Sequence, residues 1–154
     1  GILDLLRSSS CHYVLMHSLS VPADPARVLP LECDPVLELC QWAEKKLEVL
    51  AKNGVSLDRV IFDPGLGFGK TAAQSFEIVK RAPEFSSLPV RLLFGHSRKS
   101  FLKHFGEREA SARDGFGMGI SLQLASRGSA EIIRVHEPQL HADAFASFSE
   151  TNTI

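Results

Sequence analysis

The sequence predicts an α/β protein built on a parallel sheet, and three observations carry that expectation. Four short apolar runs alternate with longer segments whose apolar residues fall at helical spacing. Each run is brief and apolar enough to be a buried strand. Each also ends in a polar or ionisable residue, which is where parallel α/β proteins keep their chemistry. Strands that alternate with helices pair in parallel, because a parallel neighbour is reached only through a crossover. Two architectures stay open on this pattern: a doubly wound sheet, or part of a (β/α)8 barrel. A full barrel takes about 250 residues. The 154 residues here, with four strand–helix units, would make half of one.

The elements follow in order. HYVLMHS is the first expected strand, and a loop punctuated by Pro22, Pro25, Pro30 and Pro35 follows it. VLELCQWAEKKLEVLAKNG is a helix with Val36, Leu39, Cys40, Leu47 and Leu50 on its apolar stripe. Lys52 lies in its last turn, and Gly54 stands where a left-handed residue closes a helix. RVIFD is the second strand, and QSFEIVKRA a helix stopped by Pro83. VRLLFG is the third strand, KSFLKHF a short helix, and SARDGFGMGISLQLASRG a longer helix closed by Gly128. EIIRVH is the fourth strand, and QLHADAFASF the last helix. A half-barrel of this kind is expected to turn Val14, Ile61, Leu92 and Ile133, or their neighbours, to its inward face.

Composition narrows the function classes. Apolar residues make up 44% of the chain, ordinary for a globular protein, and the net charge is −1. That balance carries no footprint for nucleic acid or for a membrane surface. No apolar run reaches the length of a membrane span. GILDLLRSSS lacks the basic start and long apolar run of a secretory signal. Cys11, Cys33 and Cys40 are odd in number and form no C-x-x-C pair. Reduced thiols in a cytoplasmic protein are expected, not a disulfide frame or a zinc site.

VIFDPGLGFGKT, from Val60 to Thr71, resembles a phosphate loop but fails both familiar templates. A Walker loop wants glycine where Pro64 stands, and the dinucleotide fingerprint wants its third glycine where Lys70 stands. Asp63, Gly65, Gly67 and Gly69 must serve something else.

The polar strand ends suggest what. The first strand ends in Met16-His17-Ser18, the second in Asp63, the third in Gly95-His96-Ser97-Arg98-Lys99-Ser100, the fourth in Arg134 and His136. Strand alternation puts Arg134 and His136 on one face and Val135 on the other. Structural readings exist for each. Asp63 can cap a turn before Pro-Gly, Lys99 can be a solvated lysine, Arg134 an ion-pair partner. His17, His96 and His136 can be ordinary half-buried histidines, and for His96 that reading is preferred. The coincidence of an acid and three cations on one rim favours a site. A carboxylate accepts two parallel N–H bonds from an amidine-like edge. Lysine and arginine then serve ring oxygens and a separate anionic group.

Three segments, FDPGLGFGKT, GHSRKSF and IIRVHE, resemble the signature segments of dihydropteroate synthase, in the family's order and at compatible spacing. YVLMHS is similar to that family's fifth strand, so the resemblance runs from about Tyr13 to Phe148. It implies an α/β fold of parallel (β/α) units forming half of a (β/α)8 TIM barrel, the last four units. Residues 1–154 would be a single domain, with GILDLLRSSS the end of the preceding helix. The implied reaction displaces pyrophosphate from 6-hydroxymethyl-7,8-dihydropterin pyrophosphate by the amine of para-aminobenzoate, in folate biosynthesis.

Residue by residue, the resemblance assigns roles. Asp63 takes the 2-amino and ring N–H donors of the pterin, and Gly67 and Phe68 lie along its rim. Lys99 bridges the pterin and para-aminobenzoate sites, and with Asp63 carries the catalytic role. Ser100, at a helix start, receives the para-aminobenzoate carboxylate. Arg134 and His136 hold the pyrophosphate. Lys70 and Thr71 are helix-entry residues that point away. The family's Mg2+ would find its ligand in the N-terminal half, outside this sequence. The implied partners are the two small-molecule substrates, with self-association or a separate N-terminal half to close the barrel. Two alternatives are the pterin-binding domain of a methyltetrahydrofolate methyltransferase and a non-catalytic half-barrel remnant.

Overall fold

The computed structural model describes residues 1–24 and 26–151. Pro25, one of the expected loop punctuators, lies outside the described residues. The elements are α1 (Ile2–Ser8), β1 (Tyr13–Met16), α2 (Pro35–Lys52), β2 (Val60–Asp63), α3 (Ala72–Lys80), β3 (Arg91–Phe94), α4 (Asp114–Ser126), β4 (Ile132–Ile133) and α5 (Pro138–Thr151). The four strands stand in sequence order, each parallel to the next. That order is the winding of a barrel, since a doubly wound sheet reverses its order at a switch point.

Local chemistry accounts for the main helices. Asp34 caps α2, its Oδ1 accepting from the N–H groups of Val36 (2.9 Å) and Leu37 (3.2 Å), and Pro35 opens the first turn. Val36, Leu39, Ala43, Leu47 and Leu50 form its buried stripe; Cys40 is only half-buried. Gly54, at φ +77°, ends it as expected. Thr71 caps α3, and Gln74 reaches back to the N–H of Thr71 in a reciprocal capping box.

The short helix expected at KSFLKHF forms as a 3-10 helix, Ser100–Phe105, which ends at Gly106. The chain departs from the sequence reading in two places. The long helix expected from Ser111 is broken into a 3-10 turn (Ala110–Arg113) and α4. The fourth strand shrinks to two residues, although backbone bonds from Glu131 N to Leu92 O (3.2 Å) and Arg134 N to Phe94 O (3.0 Å) extend its contact with β3.

Alternation sorts the strand side chains into two faces. Leu15, Val60, Phe62, Leu92 and Phe94 belong to the main hydrophobic core, and Tyr13 and Ile133 pack against it. The other face carries Val14, Ile61 and Leu93. Leu92 and Ile133 therefore face the helices rather than inward; Leu93 and Ile132 take the inward positions. Of the inward set only Val14, on the edge strand, is well exposed, at 40%, while Ile61 and Leu93 are buried at 6% each. Among the described residues no helix is long and apolar enough to cross a membrane.

Candidate functional site

Asp63 is the last residue of β2, and it is fully buried. Its Oδ1 accepts from the N–H of Gly65 at 2.8 Å, and its Oδ2 from Arg134 Nη2 at 3.3 Å. Its carbonyl accepts from His17 N at 3.0 Å, which ties β1 to β2 at the rim. The turn after Asp63 needs its glycines. Gly65 has φ +65°, and a Cβ there would sit 2.0 Å from the His17 carbonyl oxygen. Gly67, at φ +77°, is exposed and leaves the approach to the turn open.

Lys99 comes from the loop after β3 and meets that turn. Its Nζ donates to Leu66 O at 2.6 Å and lies 4.5 Å from the centre of the Phe68 ring. Burial draws its pKa down to about 8, against the pull of Asp63. Ser100 is exposed as the first residue of the 3-10 helix. A small cavity of about 150 Å³ is lined by Leu66, Gly67, Phe68, Lys99 and Ser100.

A larger cavity, about 640 Å³, lies beside it and is lined by Gly95, Ser97, Arg98, Lys99, Ala110, Arg134, Val135 and His136. Arg134 and His136 share it, although they lie beyond the strand whose alternation was expected to pair them. Val135 shares it too, contrary to the expectation that it faces away. Strand alternation ends at Ile133, so it does not govern the next three residues. Gly95 makes room for the guanidinium: a Cβ there would lie 2.6 Å from Arg134 Nη2. Ser97 Oγ accepts from His136 N at 3.3 Å and lies 2.9 Å from His136 Nδ1, to which its hydroxyl donates when the imidazole carries its proton on Nε2. In that tautomer Nε2–H of His136 is the free donor.

Asp114, Glu137 and Arg113, which the sequence did not single out, help to hold this frame. Arg98 has φ +59°, and its guanidinium grips Asp114 through two bonds (2.9 and 2.7 Å) and Glu137 through one (2.7 Å). The Arg98 pairing holds the Asp114 carboxyl below its ordinary range. Arg113 Nη1 donates to the Arg98 carbonyl at 3.0 Å. Lys70 does not point away. It is buried, and its Nζ reaches His17 Nδ1, Gly65 O and Phe68 O at 2.9, 3.0 and 2.9 Å. Thr71 alone is the helix-entry residue. Burial, joined by Asp63 in the raising sense and Lys99 in the lowering sense, leaves Lys70 at about 7. His17 is buried and neutral, drawn to about 4 by burial and by Lys70. His96 is fully buried, not half-buried; its Nε2 meets Gly117 O and Ser121 Oγ at 2.9 Å each, and burial takes it to about 4. Its role is packing.

Magnesium prefers several oxygen ligands in octahedral geometry. The carboxylate at the strand ends, Asp63, already accepts from Gly65 N and Arg134 Nη2 and stands close to the cations Lys70 and Lys99. Among the described residues no group of three His, Cys, Asp or Glu could hold a metal ion. The residues present do not fit that ion.

Comparison with known proteins places the chain in a family. The chain is 30% identical over 151 residues to dihydropteroate synthase of Neisseria meningitidis serogroup C, covering 96% of this chain and 53% of that protein. It is 36% identical over 135 residues to a folate synthesis bifunctional protein of Chlamydia muridarum, covering 86% of this chain and 30% of that one. Among solved structures, Stenotrophomonas maltophilia dihydropteroate synthase with active site-bound imidazole superposes with a TM-score of 0.88 at 28% identity, over 100% of this chain and 58% of the other. The Anaplasma phagocytophilum enzyme with bound 6-hydroxymethylpterin-monophosphate gives 0.87 at 28% identity, over 97% and 59%. The chain thus spans less than two thirds of each of these relatives. Residues 1–136 match the family described as pterin binding enzyme, and the chain belongs to that family.

Proposed function

We propose that this chain is the last four strand–helix units of a dihydropteroate synthase, and that its rim binds 6-hydroxymethyl-7,8-dihydropterin pyrophosphate and para-aminobenzoate. The observation that carries the reading is Asp63: a fully buried carboxylate at a strand end, under Lys99 and Arg134. A buried carboxylate needs donors for both oxygens. One of its partners is weak, the 3.3 Å contact from an Arg134 side chain that is 56% exposed. The paired N–H donors of a pterin edge replace that contact and release the guanidinium. Arg134 and the Nε2–H of His136 then face the pyrophosphate in the larger cavity. Phe68 and Gly67 border the flat ring, and Ser100 receives the para-aminobenzoate carboxylate.

In the reaction, the para-aminobenzoate nitrogen attacks the exocyclic methylene carbon. The new C–N bond forms as the C–O bond to pyrophosphate breaks, and the amine's proton leaves to solvent. Arg134 and His136 stabilise the departing anion. Lys99 holds the two substrates in line. No step runs through a metal held by these residues. A methyl-transfer domain would have no use for an anion cavity, so Ser97, Arg134 and His136 favour the synthase. The free thiols of Cys11, Cys33 and Cys40 accord with the cytoplasmic setting that this reading implies.

The test is calorimetric titration with 6-hydroxymethylpterin. Asp63→Asn should weaken binding by about 1–3 kcal/mol, because an amide cannot accept two N–H bonds without presenting a donor of its own. Unchanged affinity would return Asp63 to the role of turn cap.

A further inference from the structure

We propose that Lys70 and His17 are positioning residues, which together hold the turn from Asp63 to Gly69 in the shape that presents Leu66 O and the Phe68 ring to Lys99. The inference rests on the pterin reading for its consequence and on geometry for its substance. An ammonium has three N–H donors, and Lys70 Nζ has three acceptors, Gly65 O, Phe68 O and His17 Nδ1, all within 3.0 Å. The two carbonyls flank Leu66 and Gly67, so the ammonium closes the turn from within. The third bond ties the closed turn to the end of β1. Lys70 and His17 are only 6% and 3% exposed, so water has no access to replace a lost partner.

The consequence reaches Lys99. Both of its neighbours in the turn, Leu66 O at 2.6 Å and the Phe68 ring at 4.5 Å, lie on the segment that Lys70 spans. Moving that segment moves the whole seat of Lys99. The glycines make the segment pliable, since each lets the backbone leave its turn conformation at little steric cost. The backbone bond from Phe68 N to Gly65 O (3.0 Å) closes the turn at its tip, and the Lys70 tie adds the side-chain brace that holds that shape against β1.

The experiment uses the 154-residue chain with isotope-labelled lysine and phenylalanine, followed by NMR and by 6-hydroxymethylpterin titration. Lys70→Met should move the Phe68 ring and Lys99 side-chain signals and lower pterin affinity by about tenfold, the loss expected from one charge-assisted hydrogen bond. Lys70→Arg should not rescue, because a planar fork does not match three acceptors around a tetrahedral centre. His17→Leu should reproduce the effect, and His17→Asn, whose amide oxygen stands near the place of Nδ1, should restore both readouts. If Lys70→Met does not fold, the His17 pair decides. Phe68 and Lys99 signals unmoved in Lys70→Met or in His17→Leu would overturn the proposal. Asp63→Asn should lose pterin affinity with the Phe68 ring signals in place, although the Lys99 signals shift with the lost charge. Wild-type spectra that show the tie, in a chain with no pterin affinity, count against the pterin reading and leave the tie standing.

Discussion

At the scale of single residues, the rim combines a fixed acid with lysines whose charge is costly. Gly65 shows how tightly the acid is framed. Gly65→Ala places a methyl on the His17 carbonyl and strains a positive φ. It should cost at least about 2 kcal/mol of stability, measured as a shift in urea midpoint. The buried histidines add a pH dependence. His17 and His96 titrate near 4 in the folded chain, below the ordinary histidine value of 6.5. Between those limits the unfolded chain binds more protons than the folded one. Stability should therefore fall as pH drops from 6.5 to 4 and level off below, with each histidine contributing up to about 3 kcal/mol. Urea unfolding across that range checks this, and His96→Gln should flatten part of the slope. Lys70 acts in a separate window: its penalty is full below about 7 and is relieved as pH rises towards 10.5.

At the scale of elements, the caps decide where helices begin and so where the rim loops end. Asp34 both caps α2 and pairs with Arg81 Nη1 at 2.9 Å, joining the start of α2 to the end of α3. Asp34→Ala should lose about 1–2 kcal/mol, more than the exposed ion pair alone accounts for, because two backbone donors lose their acceptor. Asp34→Asn should recover most of it, and thermal unfolding of the two variants separates cap from charge. The Arg98 clamp on Asp114 and Glu137 plays the matching part at the other side of the rim. It joins the loop after β3 to the starts of α4 and α5, and so sets the spacing of the walls of the larger cavity.

At the scale of the whole molecule, four parallel strands are half of a closed barrel. β1 pairs only with β2 and β4 only with β3, so each offers an open edge within the described residues. Open edges and the exposed Val14 favour pairing with more strands. The expected outcome is that these 154 residues alone show no pyrophosphate release from the two substrates, and that light scattering finds them self-associated. Adding a polypeptide that supplies the first four units should restore turnover. Activity of the chain alone would show that the chemistry needs only this half of the rim.

Much of this was legible in the sequence. The order of strands and helices, the cap at Gly54, and the glycine turn after Asp63 are local, because period, turn chemistry and backbone conformation are set by near neighbours. The candidate residues at the strand ends follow from that order. What the chain could not show in one dimension is how those residues meet. Arg134 reaches Asp63 across 71 positions, and Ser97 reaches His136 across 39. Lys70 turns inward onto a histidine 53 positions away, where the motif suggested an outward helix start. Val135 joins the cavity because β4 ends at Ile133, two residues before it, and alternation no longer holds there. Contacts of that kind arise only when the sheet curves and brings successive strand ends to one rim, and their partners leave no mark on the local pattern of either segment.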